Sequence, residues 1–354
     1  MHATARRLSG ALAVAITAVL ASAGSAGAQT VPTNVRIVAP NGTELADVRQ
    51  YLGKTHVPTS PAADCFGPGN KGSGNTVTQV GPDALSVVVE ASRSKDQLRP
   101  VLVTDGFLAD GFGLGLCSVG GYSAGVPDPF WYLKVNHKGS QLGASLVTVG
   151  PDTEVLWYLA PSFPPGEELV LSAPVSAPPN TPIQVQVLAY DDAGLPSGAT
   201  GAVVLGGDTP AVVDANGAAT VSFSTLGRPI LSATRTGDIP SQLLEVCVAD
   251  PVTDCPEARG REILGTDGPD KLVGGMGDDR LAARAGNDRV NARGGDDQIV
   301  VNGGGRDKVK CGGGEDFVRA DKKDRIGKSC ERVKGARKAK RKGKRRKGKG
   351  GKRK

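Results

Sequence analysis

Histidine, aromatic side chains and long apolar runs are all scarce in this chain. It has 3 His in 354 residues, and one of them, His2, lies at the extreme N-terminus. His56 and His137 are the others, in loop-like contexts with no nucleophile close in sequence. No G-x-S-x-G elbow occurs. Gly-rich runs such as Gly303-Gly304-Gly305 lack a following Lys-Ser/Thr and do not read as phosphate loops. These absences argue against an enzyme. The 6 Cys lack the close doublets of a zinc site, which argues against a metal held by soft ligands. Beyond the N-terminus no apolar run is long enough to span a bilayer.

What the chain does have is a nine-residue period. Between Gly265 and Arg319 it reads GTDGPDKLV, GGMGDDRLA, ARAGNDRVN, ARGGDDQIV, NGGGRDKVK and CGGGEDFVR. Asp270, Asp279, Asp288, Asp297, Asp307 and Asp316 hold position six; Leu272, Leu281, Val290, Ile299, Val309 and Val318 hold position eight. Such a period predicts a stack of short parallel strands. Gly268, Gly277, Gly286, Gly295, Gly305 and Gly314 at position four suit tight turns with left-handed φ. A row of carboxylates at turns suits Ca²⁺, a hard cation that takes six to eight oxygens. One Asp per loop cannot satisfy it, so stacked loops would have to share ions. The aliphatic at position eight points inward, and each buries only on the order of 2 kcal/mol. Without metal the carboxylates would repel, so the region is expected to fold only with Ca²⁺.

These copies resemble the RTX, or haemolysin-type, calcium-binding repeats, with consensus GGxGxDxUx. The resemblance implies a β-roll with two nonapeptides per coil and ions between loops two repeats apart. Carried over, it pairs Asp270 with Asp288, Asp279 with Asp297, Asp288 with Asp307, and Asp297 with Asp316, and adds Gly265 and Gly274 to the turn glycines. Only GGMGDDRLA matches the consensus fully; Ala283, Ala292, Asn302 and Cys311 replace the first Gly. The Asp297 to Asp307 step is ten residues rather than nine, so the stack is expected to slip there. Lys271, Arg280, Arg289 and Lys308 follow the Asp directly and should weaken cation affinity. Sites are therefore expected in the first four copies rather than after Val301. Asp324 and Ile326 resemble a shortened seventh copy.

The N-terminus reads as an export signal: Arg6 and Arg7, an apolar core from Ala11 to Ala21, and Ala26-Gly27-Ala28 before a cleavage point. Export fits an even number of cysteines paired as disulfides. The simplest pairing is sequential: Cys65 with Cys117, Cys247 with Cys255, Cys311 with Cys330. The chain carries +7, yet Lys334 to Lys354 hold 14 Lys or Arg and no acid, which leaves an acidic remainder of −7. A tail with no apolar residue larger than Ala cannot fold. It suits electrostatic adhesion to polyanions: cell-envelope polymers, extracellular polysaccharide or DNA.

Ten of the 14 aromatics lie between Tyr51 and Tyr158, which places a core there. Asp83 could cap a helix from Ala84 to Ala91, while Val87-Val88-Val89 argues for a strand; both readings stand. Trp131, Val135, Asn136, Gly150, Asp152, Val155 and Trp157 resemble the end of a DUF4430 domain, related to the C-terminal lobe of transcobalamin. The resemblance implies a β-grasp-like fold, with the two Trp as packing residues and Asp152 in a turn. Between 164 and 250, six short alternating segments with turn clusters predict a β-sandwich. The phrase GLPSGATGAVV…VDANGAATVSF is similar to immunoglobulin-like modules of bacterial surface proteins.

The expected fold class is mainly β and multi-domain. It comprises a signal peptide (1–28), a β-grasp-like α+β domain (33–162), an Ig-like β-sandwich (164–250), a parallel β-roll (258–330) and a disordered basic tail (334–354). The expected function is a secreted or surface calcium-binding protein with an adhesion or scaffolding role. The alternatives are a corrinoid- or glycan-binding module on a calcium-stabilised stalk, and an RTX-linked hydrolase using His56 or His137.

Overall fold

The strand Val31–Val38 alternates half-exposed and buried residues, as a strand covered on one face must. It pairs antiparallel with Glu44–Leu52 and parallel with Glu154–Ala160, which pairs in turn with Phe130–Val135. The computed structural model describes residues 30–336 except 68, 126 and 127; the expected export signal and the tail beyond Ala336 lie outside them.

One helix, Ala84–Ser94, packs on this mixed sheet. Asp83 caps it, its Oδ1 accepting from the N–H groups of Leu85 and Ser86 at 3.0 and 2.9 Å. The three successive Val favour a strand by propensity, but propensity is a weak prior beside burial. Val87 and Val88 face the core with Leu85, Ile37, Trp131 and Trp157. The Trp157 indole N–H donates to the Ala84 carbonyl at 2.9 Å and fixes helix to sheet. Asp152 lies in a turn with φ +60° and accepts from Arg49.

From Glu168 to Val248 two sheets face one another. One contains Glu168–Ser172, Ile183–Tyr190, Pro196–Gly198 and Ala218–Val221; the other contains Val203–Leu205, Ala211–Val212, Ile230–Thr234 and Leu244–Glu245. Leu169, Val187, Val204, Val221, Phe223 and Leu231 fill the space between them.

The C-terminal region is a β-solenoid of two parallel sheets. Glu262–Leu264, Arg280–Ala282, Gln298–Val301, Phe317–Ala320 and Arg332–Lys334 stack on one side. Lys271–Val273, Arg289–Gly294, Lys308–Gly313 and Arg325–Ile326 stack on the other. Lys334, expected to open the tail, ends the last strand opposite Arg319.

The ten-residue step does not make the stack slip. Arg289 lies opposite Lys308 and Gln298 opposite Phe317, so the ladder stays in register. The extra residue falls in the loop of Asn302 to Arg306, and Val301, not Asn302, continues the inward column from Ala283 to Ala320.

The inside also holds more than one aliphatic per repeat. Position eight supplies Leu272, Leu281, Val290, Ile299, Val309 and Val318; a second buried set adds Ala283, Val301 and Ala320 from one sheet and Ala292 and Cys311 from the other. Ala283, Ala292 and Cys311, which replace the consensus Gly, are therefore core residues, whereas Asn302 is exposed. Disulfides join Cys65 to Cys117, Cys247 to Cys255 and Cys311 to Cys330, the last pair buried inside the roll.

The first domain and the roll share one sheet. Arg49 and Gln50 pair in parallel with Ile263 and Leu264, so the strand Glu44–Leu52 continues the solenoid ladder. Buried Gln50 donates from Nε2 to the carbonyls of Leu264 and Gly265 at 3.3 and 3.2 Å, and Tyr51 closes the end of the roll's core. An open parallel edge invites pairing with other chains, and this strand covers it.

Candidate metal centre

Each repeat turns at its Asp. Alternation along the following strand sends the Asp inward, the next residue outward and position eight inward again. All six Asp are buried, from 0% to 4% exposed, while Lys271, Arg280, Arg289 and Lys308 are exposed. The basic neighbours expected to compete with a cation therefore point away from the carboxylates.

The carboxylates form two columns, one at each bend. In the first, the backbone N–H of Asp270 donates to Asp288 Oδ1 at 2.9 Å, that of Asp288 to Asp307 Oδ1 at 2.8 Å, and that of Asp307 to Asp324 Oδ1 at 3.0 Å. In the second, Asp279 donates to Asp297 at 2.9 Å, Asp297 to Asp316 at 3.0 Å, and Asp316 to Glu331 Oε2 at 3.1 Å. The four Asp pairs carried over from the resemblance are stacked neighbours here.

The ends of the columns differ from their middles. Asp270 is held by the N–H of Thr266 and the hydroxyl of Thr30, and Asp279 by the N–H groups of Arg261 and Gly275. Both oxygens of each are engaged by protein donors. The second oxygen of Asp288, Asp297, Asp307 and Asp316 is buried and has no hydrogen-bond partner. An unpaired carboxylate oxygen out of water is expensive. Burial accordingly pushes Asp288 and Asp297 up to about 7 and Asp307 to about 6, and neighbouring acids add to the shift. Asp270, Asp279 and Asp316 are raised for the same first reason.

The loops crowd around these oxygens. Gly286 and Gly305 have φ of +133° and +97°, and a Cβ on Gly305 would lie 1.4 Å from the Gly286 carbonyl oxygen. Left-handed φ holds at Gly286, Gly295, Gly305 and Gly314 but not at Gly268 or Gly277. At Gly277 a close approach to the Ala258 carbonyl, 2.3 Å from an added Cβ, excludes a side chain instead; at Gly268 there is room. Gly265 and Gly274 each pass close to a carboxylate oxygen, of Asp270 and Asp279 respectively.

This donor set fits a hard cation: buried anionic oxygens without donors, beside stacked backbone carbonyls. Among the described residues no three Asp, Glu, His or Cys side chains converge on one point. A cation held here would draw its other ligands from loop carbonyls and water.

Residues 264–299 match the RTX calcium-binding nonapeptide repeat family, in four copies. The C-terminal region carries RTX repeats wound into a β-solenoid. No curated protein and no solved structure matches the chain. The RTX match ends at Ile299, yet the carboxylate columns run on through Asp307 and Asp316 to Asp324 and Glu331. The unpartnered oxygens lie on both sides of Val301.

Sequence reasoning missed Thr30, Thr266 and Glu331, which lie outside the repeat's fixed positions. The two histidines sit elsewhere. His56 lies on the strand Thr55–Pro58 rather than in a loop, and its Nδ1 is 3.0 Å from the Thr78 hydroxyl. His137 bridges Glu154 and Glu168 at 3.2 Å each and stacks on Tyr190. Its pKa is raised by the hydrogen bond to Glu168.

Proposed function

We propose that this is a secreted, non-catalytic surface protein in which calcium completes the C-terminal RTX roll. Ca²⁺ would be held by Asp288, Asp297, Asp307 and Asp316, with Asp270, Asp279, Asp324 and Glu331 closing the columns. The observation that carries this is the second oxygen of those four Asp, buried and unpartnered. Calcium there replaces the protons that burial otherwise favours.

The rest of the chain fits an adhesion or scaffolding role. The strand order of the first domain, with one helix across a mixed sheet, supports the β-grasp-like, DUF4430 reading. The facing sheets of the middle segment support an Ig-like spacer. Trp131 and Trp157 are 9% and 3% exposed and serve the core, which favours a scaffold over a corrinoid or glycan receptor built on them. Three disulfides suit export through the signal at 1–28.

Calcium titration calorimetry of the full chain tests the reading. Binding that is lost in an Asp288→Ala/Asp297→Ala variant is expected. Absence of calcium binding by the wild-type chain would overturn it.

A further inference from the structure

Six cations line one outer face of the roll. Lys271, Arg289, Lys308 and Arg325 lie directly opposite one another on four successive parallel strands, and Arg293 and Lys310 flank them. All six are exposed. The four strands, KLV, RVNARG, KVKCGG and RI, contain no acid. Among the described residues none of the six forms an ion pair; the roll's acids pair instead with Arg93, Lys95, Arg228 and Arg284.

Strands in a ladder are about 4.8 Å apart, and like charges set opposite one another at that distance destabilise a sheet. The other sheet does not repeat the pattern: its corresponding column reads Glu262, Arg280, Gln298, Phe317 and Arg332. One face thus concentrates a row of unpaired charge that folding itself disfavours, and a bound polyanion would relieve it.

We propose that this face binds an extended acidic polysaccharide along the roll axis. The row is exposed and kept in register over four strands, and its charges recur at the ladder spacing, comparable to one sugar ring. A nucleic-acid duplex offers its phosphates on a curved path. Single strands are held by stacking on aromatic side chains, and these strands have none. The site is separate from the tail and from the calcium columns, since its side chains point opposite to the buried Asp.

The test uses the full chain in saturating calcium, with polygalacturonate and duplex DNA as probes over a range of salt. One variant, Lys271→Gln/Arg289→Gln/Lys308→Gln/Arg325→Gln, removes the row. A charge-matched control, Arg280→Gln/Arg319→Gln/Arg332→Gln/Lys334→Gln, removes the same charge from the other sheet. Loss of the row should lower polygalacturonate affinity on the order of tenfold or more and reduce the salt slope by about 3, with the control near wild type. Equal losses in both variants, or in neither, would overturn the proposal. A loss confined to DNA would overturn the assignment to polysaccharide. Should the fourfold variant lose its β signal, Lys308→Gln/Arg325→Gln against Arg319→Gln/Arg332→Gln makes the same comparison with half the change.

Discussion

The hydroxyl of Thr30 donates to Oδ1 of Asp270 at 2.7 Å, across 240 residues of chain. The start of the first domain thus meets the first carboxylate of the roll. Arg284 reinforces the junction through Glu90 at 2.9 Å and Asp267 at 2.7 Å. The roll is capped by the domain that precedes it, and its first turn needs no ion to satisfy Asp270.

That difference separates two substitutions. Asp270→Ala should lower the stability of the calcium-free protein by about 1–3 kcal/mol, because it leaves the Thr266 N–H and Thr30 hydroxyl without their acceptor. It should leave calcium stoichiometry largely unchanged. Asp288→Ala should reduce the number of ions bound, since its second oxygen has no protein donor. It should also cost more calcium affinity than Asp316→Ala, because Asp288 has Asp neighbours on both sides of its column. Native mass spectrometry counts the ions, and denaturation in EGTA reads the stability.

Acidity should substitute in part for calcium. Asp288 and Asp297 are raised to about 7 and Asp307 to about 6, above the unfolded range near 4. Between about pH 4 and 7 the calcium-free folded state binds more protons than the unfolded state, so its stability falls as pH rises through that window. The EGTA-treated protein should therefore melt higher at pH 5.5 than at pH 7.5. Calcium should reverse the order, because binding at these Asp displaces their protons.

The Cys311–Cys330 bridge closes a loop over a sequence separation of 19 residues inside the roll. A Cys311→Ala/Cys330→Ala variant should lose about 3 kcal/mol by the chain-entropy account. The loss should appear in denaturation of the roll both with and without calcium, because the bridge and the ion columns act on different parts of the coil.

The tail beyond Ala336 makes a separate prediction. Its removal should shift the protein from cell-associated to medium fractions at low salt and leave calcium stoichiometry unchanged. Unchanged cell association at low salt would assign adhesion to the folded part alone.

The roll was legible in the sequence because its period is strict: Asp at six and an aliphatic at eight alternate inward on a strand. Asp83 announced its helix by the same local logic, and burial settled the competing strand propensity of Val87 to Val89. The second inward set was not legible, since Ala283, Ala292 and Cys311 read as departures from a Gly consensus. Nor was the junction of Arg49 with Ile263, a pairing over more than 200 residues carried by two-residue registers. Glu331 escaped notice because the last coil is short: it follows Asp316 by 15 residues where the other steps within the columns take 17 to 19.

Hydrogen exchange of the full chain, in EGTA and in calcium, tests the central claim most directly. The intact chain is required because the first domain caps the roll. Calcium should slow exchange throughout residues 262–334, most strongly around Asp288, Asp297, Asp307 and Asp316, and leave the sheets of the first two domains unchanged except where Arg49 and Gln50 pair with the roll. Identical exchange of 262–334 in both conditions would contradict the account.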